Sequence, residues 1–381
     1  MKNNRHVIAT VITIITLLIL TVSCSDMMAE LKQGIIEVDT DTTSFIEGAV
    51  YEVTATQRGI ISVVDPIITS QFPVLIKPVN IGDWDVTIEA LLHGEKIAEG
   101  SSTVRTIEGT APVDIHLAKV ESRLTDLTIN YIPTGYNFRA GTHLYNLPSV
   151  EYGVSHISVC PTSATGTITV NGDEVTSGQD SPFIELTHEA ENTITVIVAE
   201  EGKEEQTYTI KVERLAPAVG SMGLGGGIIF YDKGNDNNGW QYLEAAPSSW
   251  SGTRVDPQYQ WGEDGTITPS VTATGLGSGK SNTEHIVGIL NNSYAAIACD
   301  EHSVTHLGTP YDDWYLPSKD ELDKMYRNLK ANNLGGFSDD NYWSSTSSSD
   351  NTAWYQLFAD SAPQLSNGRG NECKVRPIRA F

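Results

Sequence analysis

The sequence predicts a mainly β chain: two β-sandwiches in tandem, then an α+β C-terminal region. Three observations predict it. The composition combines 33 Gly and 16 Pro with 39% apolar and only 19% charged residues, the profile of a folded chain rich in turns and short strands. Short runs of alternating apolar and polar residues recur from Gly34 to Arg214, broken by Gly, Pro and Asn. Only from about Asn282 onward does the apolar spacing turn helical. A length of 381 residues leaves room for two or three domains. The 24 Lys and Arg against 48 Asp and Glu give a formal net charge of -24, which would repel a phosphate backbone and disfavours nucleic-acid binding.

The first element is not part of a fold. Lys2 and Arg5 precede Val7 to Val22, an uncharged apolar run slightly short of the roughly 20 residues a membrane-spanning helix needs, and a polar Ser23-Cys24-Ser25-Asp26 follows. That is the layout of a secretory signal. With Cys24 behind a small residue, residues 1–24 resemble a bacterial lipoprotein signal, which implies lipidation of Cys24 and anchoring at the cell envelope, with Ser25 compatible with the outer membrane. An ordinary signal peptide is the alternative. An exported chain pairs its cysteines in even numbers. Cys160, in the alternating stretch His156 to Cys160, reads as a small core residue, and Cys299 and Cys373 read either as a disulfide or as two separate buried thiols.

Residues 25–120 carry the first sandwich. Tyr51-Glu-Val-Thr-Ala-Thr and Asp85-Val-Thr-Ile-Glu-Ala are strand-like, and Gly82 to Ile88, the turn His93-Gly-Glu-Lys and Ser102-Thr-Val-Arg-Thr resemble the central hairpin of an immunoglobulin-like module with Trp84 in its core. Residues 121–215 are a second β unit. Its closing sequence, Asn192-Thr-Ile-Thr-Val-Ile-Val-Ala, the turn Glu200-Glu-Gly-Lys and Thr207 to Arg214, resembles the cadherin-like sandwich repeat of bacterial surface proteins, which implies a spacer. Glu200, Glu201, Glu204 and Glu205 read as a solvated hairpin tip. Leu215 to Gly227, small and Gly-rich, reads as a linker with few contacts.

Residues 216–381 alternate strands with two helical stretches. Ile286, Ile289, Leu290, Ala296 and Ile297 give helical spacing between Asn282 and Cys299. Ser318 and Glu321 form a capping box ahead of the stripe Leu322, Met325, Tyr326 and Leu329, and Asn332-Asn-Leu-Gly-Gly336 ends that helix. Gly226-Gly-Ile-Ile-Phe-Tyr, Leu243-Glu-Ala-Ala-Pro, Asp313 to Tyr326, Tyr342-Trp-Ser-Ser, Ala353-Trp354 and Val375-Arg-Pro-Ile-Arg379 together resemble the C-terminal domain of collagen-like adhesins, the Lcl C-terminal family. The resemblance implies a C-type-lectin-like or formylglycine-generating-enzyme-like fold with adjacent chain ends, and recognition of a glycan or host glycoprotein.

Within this region, Thr346 to Thr352 and Asp360 to Asn371 read as polar loops flanking Trp354, so Trp354, Tyr355, Asp350, Asn351 and Arg369 are the candidate ligand contacts. An anionic glycan would require Arg369, Lys374, Arg376 and Arg379 to face outward. Asp232, Asn235, Asp236, Asn237 and Asn238 supply oxygen ligands in one turn, a candidate calcium site, although Asx-rich turns without metal are commoner. His285, His302 and His306 lie close enough in sequence for zinc, with ordinary surface histidines as the commoner outcome. No complete catalytic set is present, so the expected function is adhesion without chemistry, with a structural envelope lipoprotein, and behind it a metal-dependent enzyme, as alternatives.

Overall fold

Where alternate side chains face a core and solvent, the backbone pairs into sandwiches, and the first module follows that rule closely. The computed structural model describes residues 33–40, 45–59, 63–132, 136–263, 271–290, 294–359 and 361–381; the expected signal, residues 1–24 with Cys24, lies outside them. The chain divides into two compact units. One runs to Arg123 and takes in Thr165–Thr167 and Ile197–Gln206; the other comprises Leu124–Ala164, Ile168–Val196 and Thr207–Phe381.

In the first unit a five-stranded sheet has the order Val63–Thr69, Val50–Gln57, Gly82–Leu92, Glu95–Thr106, Ala118–Lys119, and a three-stranded sheet the order Val74–Asn80, Gln33–Asp39, Gly109–Asp114. The predicted hairpin is there, turning at His93 and Gly94, both at positive φ. Trp84 is buried against Val86, Ile88 and Val104 in one core, and its indole N–H donates to the Asn80 carbonyl at 2.9 Å.

The second sandwich sets a five-stranded sheet, Leu144–Asn146, Gln206–Arg214, Ala190–Ala199, Thr167–Val170 and Asp173–Glu174, against a three-stranded one, Ile184–Glu185, His156–Thr162 and Asp126–Asn130. Ile194, Val196 and Val198 alternate inward, as do Tyr208, Ile210 and Val212 on the neighbouring strand.

The C-terminal region has a three-stranded sheet, Ile228–Asp232, Tyr242–Ala245 and Ile378–Ala380, so its two ends share a central strand. A five-stranded sheet follows the order Gln258–Gln260, Glu372–Lys374, Asn341–Ser349, Thr352–Leu357, Gln364–Gly368. Three helices accompany them, α1 (Gly279–Val287), α2 (Ala295–Asp300) and α3 (Lys319–Asn328). The single helical stretch expected from Asn282 to Cys299 is thus two helices. The first ends at Gly288, a weak helix former, and Tyr294 is extended at the start of α2.

The Gly-rich segment before this region is not a contact-poor linker. The N–H of Met222 donates to Glu151 of the second sandwich at 2.7 Å, and the N–H groups of Gly225 and Gly227 donate to the buried Glu244 carboxylate at 3.1 and 2.6 Å. A Cβ at Gly227 would lie 2.1 Å from the Ala245 carbonyl oxygen, so the glycines here permit close backbone approach. Arg379 reaches the same carboxylate and pairs with Asp313 at 2.8 Å, tying the last strand to the first.

Helix α3 begins as its sequence requires. Ser318 Oγ accepts from the Glu321 N–H at 3.3 Å and Glu321 accepts in return from the Ser318 N–H at 2.6 Å. Glu321 is fully buried and also accepts from the Gly277 N–H at 2.8 Å, and a Cβ at Gly279 would meet its carboxylate at 2.2 Å. Leu322, Met325 and Leu329 are buried and Tyr326 partly so.

Cys299 on α2 and Cys373 on its strand pack into one apolar cluster with Trp343 and Val375, and both thiols are free, as is Cys160. Of the two readings of Cys299 and Cys373, the structure has the separate buried thiols. Burial pushes the Cys373 thiol up to about 12 and that of Cys299 well above its ordinary range, while Asn367 hydrogen-bonds the former.

Two measurements test these features. Burial pushes Glu321 up to about 7 against the pull of its backbone N–H partners, from an ordinary 4.5. The folded chain therefore holds this proton more tightly than the unfolded one, and the stabilisation is present below about pH 4.5 and lost as pH rises through 7. Urea titrations at several pH values should show the native chain losing about 3 kcal/mol across that window relative to Glu321→Gln, whereas parallel pH profiles for the two proteins would contradict the assignment. In a Cys24→Ala variant prepared without reductant and unfolded in guanidinium, all three thiols should react with an aromatic disulfide reagent. A single reactive thiol would mean that Cys299 and Cys373 are bridged.

Candidate functional site

The residues flanking Trp354 do not form one surface. Trp354 and Tyr355 are neighbours on one strand, so their side chains leave opposite faces of the sheet. The Trp354 ring lies under the Lys319 ammonium at 3.7 Å, while Tyr355 packs edge-on against buried Trp343 at 6.1 Å. Asp350 and Asn351 are exposed at the tight turn between Asn341–Ser349 and Thr352–Leu357. Arg369 is wholly buried. Its guanidinium donates to Ser347 Oγ and the Ser349 carbonyl, both at 2.8 Å, and stacks 4.5 Å over Trp261. It is a structural side chain and cannot contact a ligand with Trp354.

Both expected loops contain strand. Thr346 to Ser349 continue their strand, and Gln364–Gly368 is an edge strand inside the second segment. The Ser-Thr run is tolerated in the interior because its hydroxyls find backbone carbonyls: Ser344 donates to Trp354, Ser345 to Pro317, Thr346 to Ala273. The basic cluster that an anionic glycan would require does not face outward. Arg376 and Arg379 are buried in ion pairs with Asp256 and with Asp313 and Glu244, and the Lys374 ammonium donates to the Asp256 carbonyl at 2.8 Å.

The Asx-rich turn satisfies its own backbone. Asp232 Oδ1 accepts from the Gly234 N–H at 2.7 Å and from Gln241 Nε2 at 3.0 Å, Asn235 Oδ1 accepts from the Asn237 N–H, and the Asp236 carbonyl accepts from the Gly239 N–H, with Asn238 left-handed. Among the described residues no three His, Cys, Asp or Glu side chains are grouped to hold a metal. His285, at the end of α1, stands apart from the other two candidate histidines in element and surroundings. The His302 ring lies between Trp250 and Trp314, at 5.3 and 5.2 Å, and His306 packs beneath Gly226. Burial holds both imidazoles below their ordinary range.

A concave site lies elsewhere. Trp250, Ser251, Tyr259, Ala298, Glu301, His302 and Ser303 line an open cavity of about 370 Å³. Trp250 is aimed by its indole N–H, which donates to buried Asp256 at 3.1 Å. Tyr259 is held through its backbone, because its carbonyl accepts from the Trp343 indole at 2.9 Å. Helix α2 and the turn after it bring Glu301, His302 and Ser303 to the opposite wall. Burial, together with the negative charge of Glu301, raises the Tyr259 phenol above its ordinary range, so it stays a hydrogen-bond donor. The arrangement offers two aromatic rings, hydroxyls, a neutral imidazole and one exposed carboxylate. Only His302 of this set stood out in the sequence.

Residues 124–215 match the cadherin-like beta sandwich domain. No curated protein matches the chain. Similar solved structures include the fibronectin(III)-like modules of Clostridium thermocellum CbhA, 16% identical, covering 47% of this chain and 90% of that one at a TM-score of 0.14. A streptococcal ancillary pilin is 11% identical over 50% of this chain and 64% of its own, TM-score 0.20. The N-terminal Ig1-2 module of the Drosophila receptor protein tyrosine phosphatase DLAR is 11% identical over 48% and 95%, TM-score 0.17. Scores this low say nothing about function.

Proposed function

We propose that the chain is an exported, lipid-anchored bacterial surface protein whose C-terminal region, a C-type-lectin-like domain, recognises an extracellular glycan or glycoprotein without chemistry. The pocket of Trp250, Tyr259 and His302 carries this reading. A pyranose presents an apolar face that stacks on an aromatic ring and hydroxyls that need both donors and acceptors, and the cavity supplies both. The cadherin-like module beneath it serves as a spacer, and the apolar run before Cys24 supports export. A structural envelope lipoprotein is the competing reading, for which the pocket has no use.

Two experiments test this reading, the first against the structural alternative and the second for the lipid anchor. On a glycan array the full chain should bind a saccharide set, and Tyr259→Leu, which keeps apolar bulk but removes the stacking face, should weaken that binding about tenfold at an unchanged urea midpoint. Absence of any ligand would favour the structural reading, and full binding by the variant would rule out this pocket as the recognition site. Metabolic labelling with a palmitate analogue should mark the native chain and not Cys24→Ala, and equal labelling of both would remove the lipid anchor.

A further inference from the structure

The charge around the pocket is one-sided. Glu301 is its charged lining residue, exposed at the rim, and the adjoining Asp300 carboxyl is held above its ordinary range by partial burial and by the negative charges of Glu284 and Glu301. No Lys or Arg lines the cavity among the described residues. Arg254 is exposed on the turn that follows Ser251 but is not part of the lining, and the Lys374 ammonium is engaged by the Asp256 carbonyl. The arginines that would otherwise attract an anion, Arg369, Arg376 and Arg379, are buried. His302 adds no positive charge at neutral pH, because burial disfavours its protonated form. Two aromatic faces, Trp250 and Tyr259, complete the wall, and such faces attract cations.

We infer that the pocket selects saccharides bearing a free amine, protonated glucosamine units, over sulfated or carboxylated ones. The inference rests on the recognition reading above and names its ligand class. An ammonium placed against Trp250 or Tyr259 gains the ring quadrupole and the attraction of Glu301, whereas a sulfate would meet the Glu301 carboxylate, with Asp300 next to it in the chain, and no cation in the lining. Because Glu301 is exposed, its share is modest and salt-sensitive.

The test uses the full chain, tryptophan fluorescence and three probes: a glucosamine oligomer at about pH 6, where its amines are charged, its fully N-acetylated counterpart, and a heparin-type sulfated oligosaccharide. The glucosamine oligomer should bind most tightly, and Glu301→Gln should weaken it about fivefold in low salt while leaving the N-acetylated form within twofold. Equal binding of the free-amine and acetylated oligomers with no effect of Glu301→Gln, or preferential binding of the sulfated probe, would overturn the amine selectivity and leave saccharide recognition standing. If none of the probes binds and the array is also blank, the recognition reading fails and this inference with it.

Discussion

The C-terminal region is organised around one buried carboxylate. Asp256 is 2% exposed and accepts four hydrogen bonds: two from Arg376 at 2.6 and 2.7 Å, one from the Tyr342 hydroxyl at 2.7 Å and one from the Trp250 indole at 3.1 Å. Arg376, equally buried, gives two further N–H groups to the carbonyls of Ala246 and Gly335 and stacks over Phe337. A buried ion pair is tolerable only when its lone pairs and protons are this fully matched. The geometry joins the turn after Trp250, the central strand of the larger sheet, the last segment of the chain and the turn after α3.

A second carboxylate extends that logic towards the cadherin-like module. Glu244 sits on the central strand of the smaller sheet and gathers Gly225, Gly227 and Arg379, so the first and last strands of the region are locked to it. Burial pushes its carboxyl up, while Arg379 and the two N–H groups pull it back. The Met222 contact to Glu151 and the stacking of Tyr152 on Phe381 at 6.0 Å continue the same packing into the second sandwich, which explains why the two form one compact unit. A Gly-rich sequence looks like a spacer because it lacks side chains to pack; here its value is the backbone N–H groups it can bring within reach of a carboxylate.

That contrast marks what was legible. Features decided locally could be read: the Trp84 hairpin, the alternating strands of the cadherin-like module, and the Ser318–Glu321 cap each follow from a few adjacent residues. Features decided by long-range partners could not. Arg369 and the Ser344 to Ser347 run look like surface chemistry in one dimension, and only the fold supplies the carbonyls, hydroxyls and indole that let them be buried. The pocket is of the second kind, since Trp250 and Tyr259 belong to a turn and a short edge strand, and Glu301 and His302 to the end of a short helix far along the chain. No periodicity links them.

The same carboxylate that organises the fold also organises the site. Trp250 owes its orientation to Asp256, and Tyr259 follows Asp256 by three residues and is held from behind by the Trp343 indole, itself fully buried. Both rings are therefore set by interactions that also stabilise the domain, and a ligand stacking on them orders little that is not already ordered. Under the proposed saccharide recognition this matters, because each stacking contact is small and the entropy of arranging the wall would consume much of it. Rim groups such as Glu301 and Ser303 are exposed and free of that constraint, so they can tune which ligand is preferred without disturbing how the rings are held.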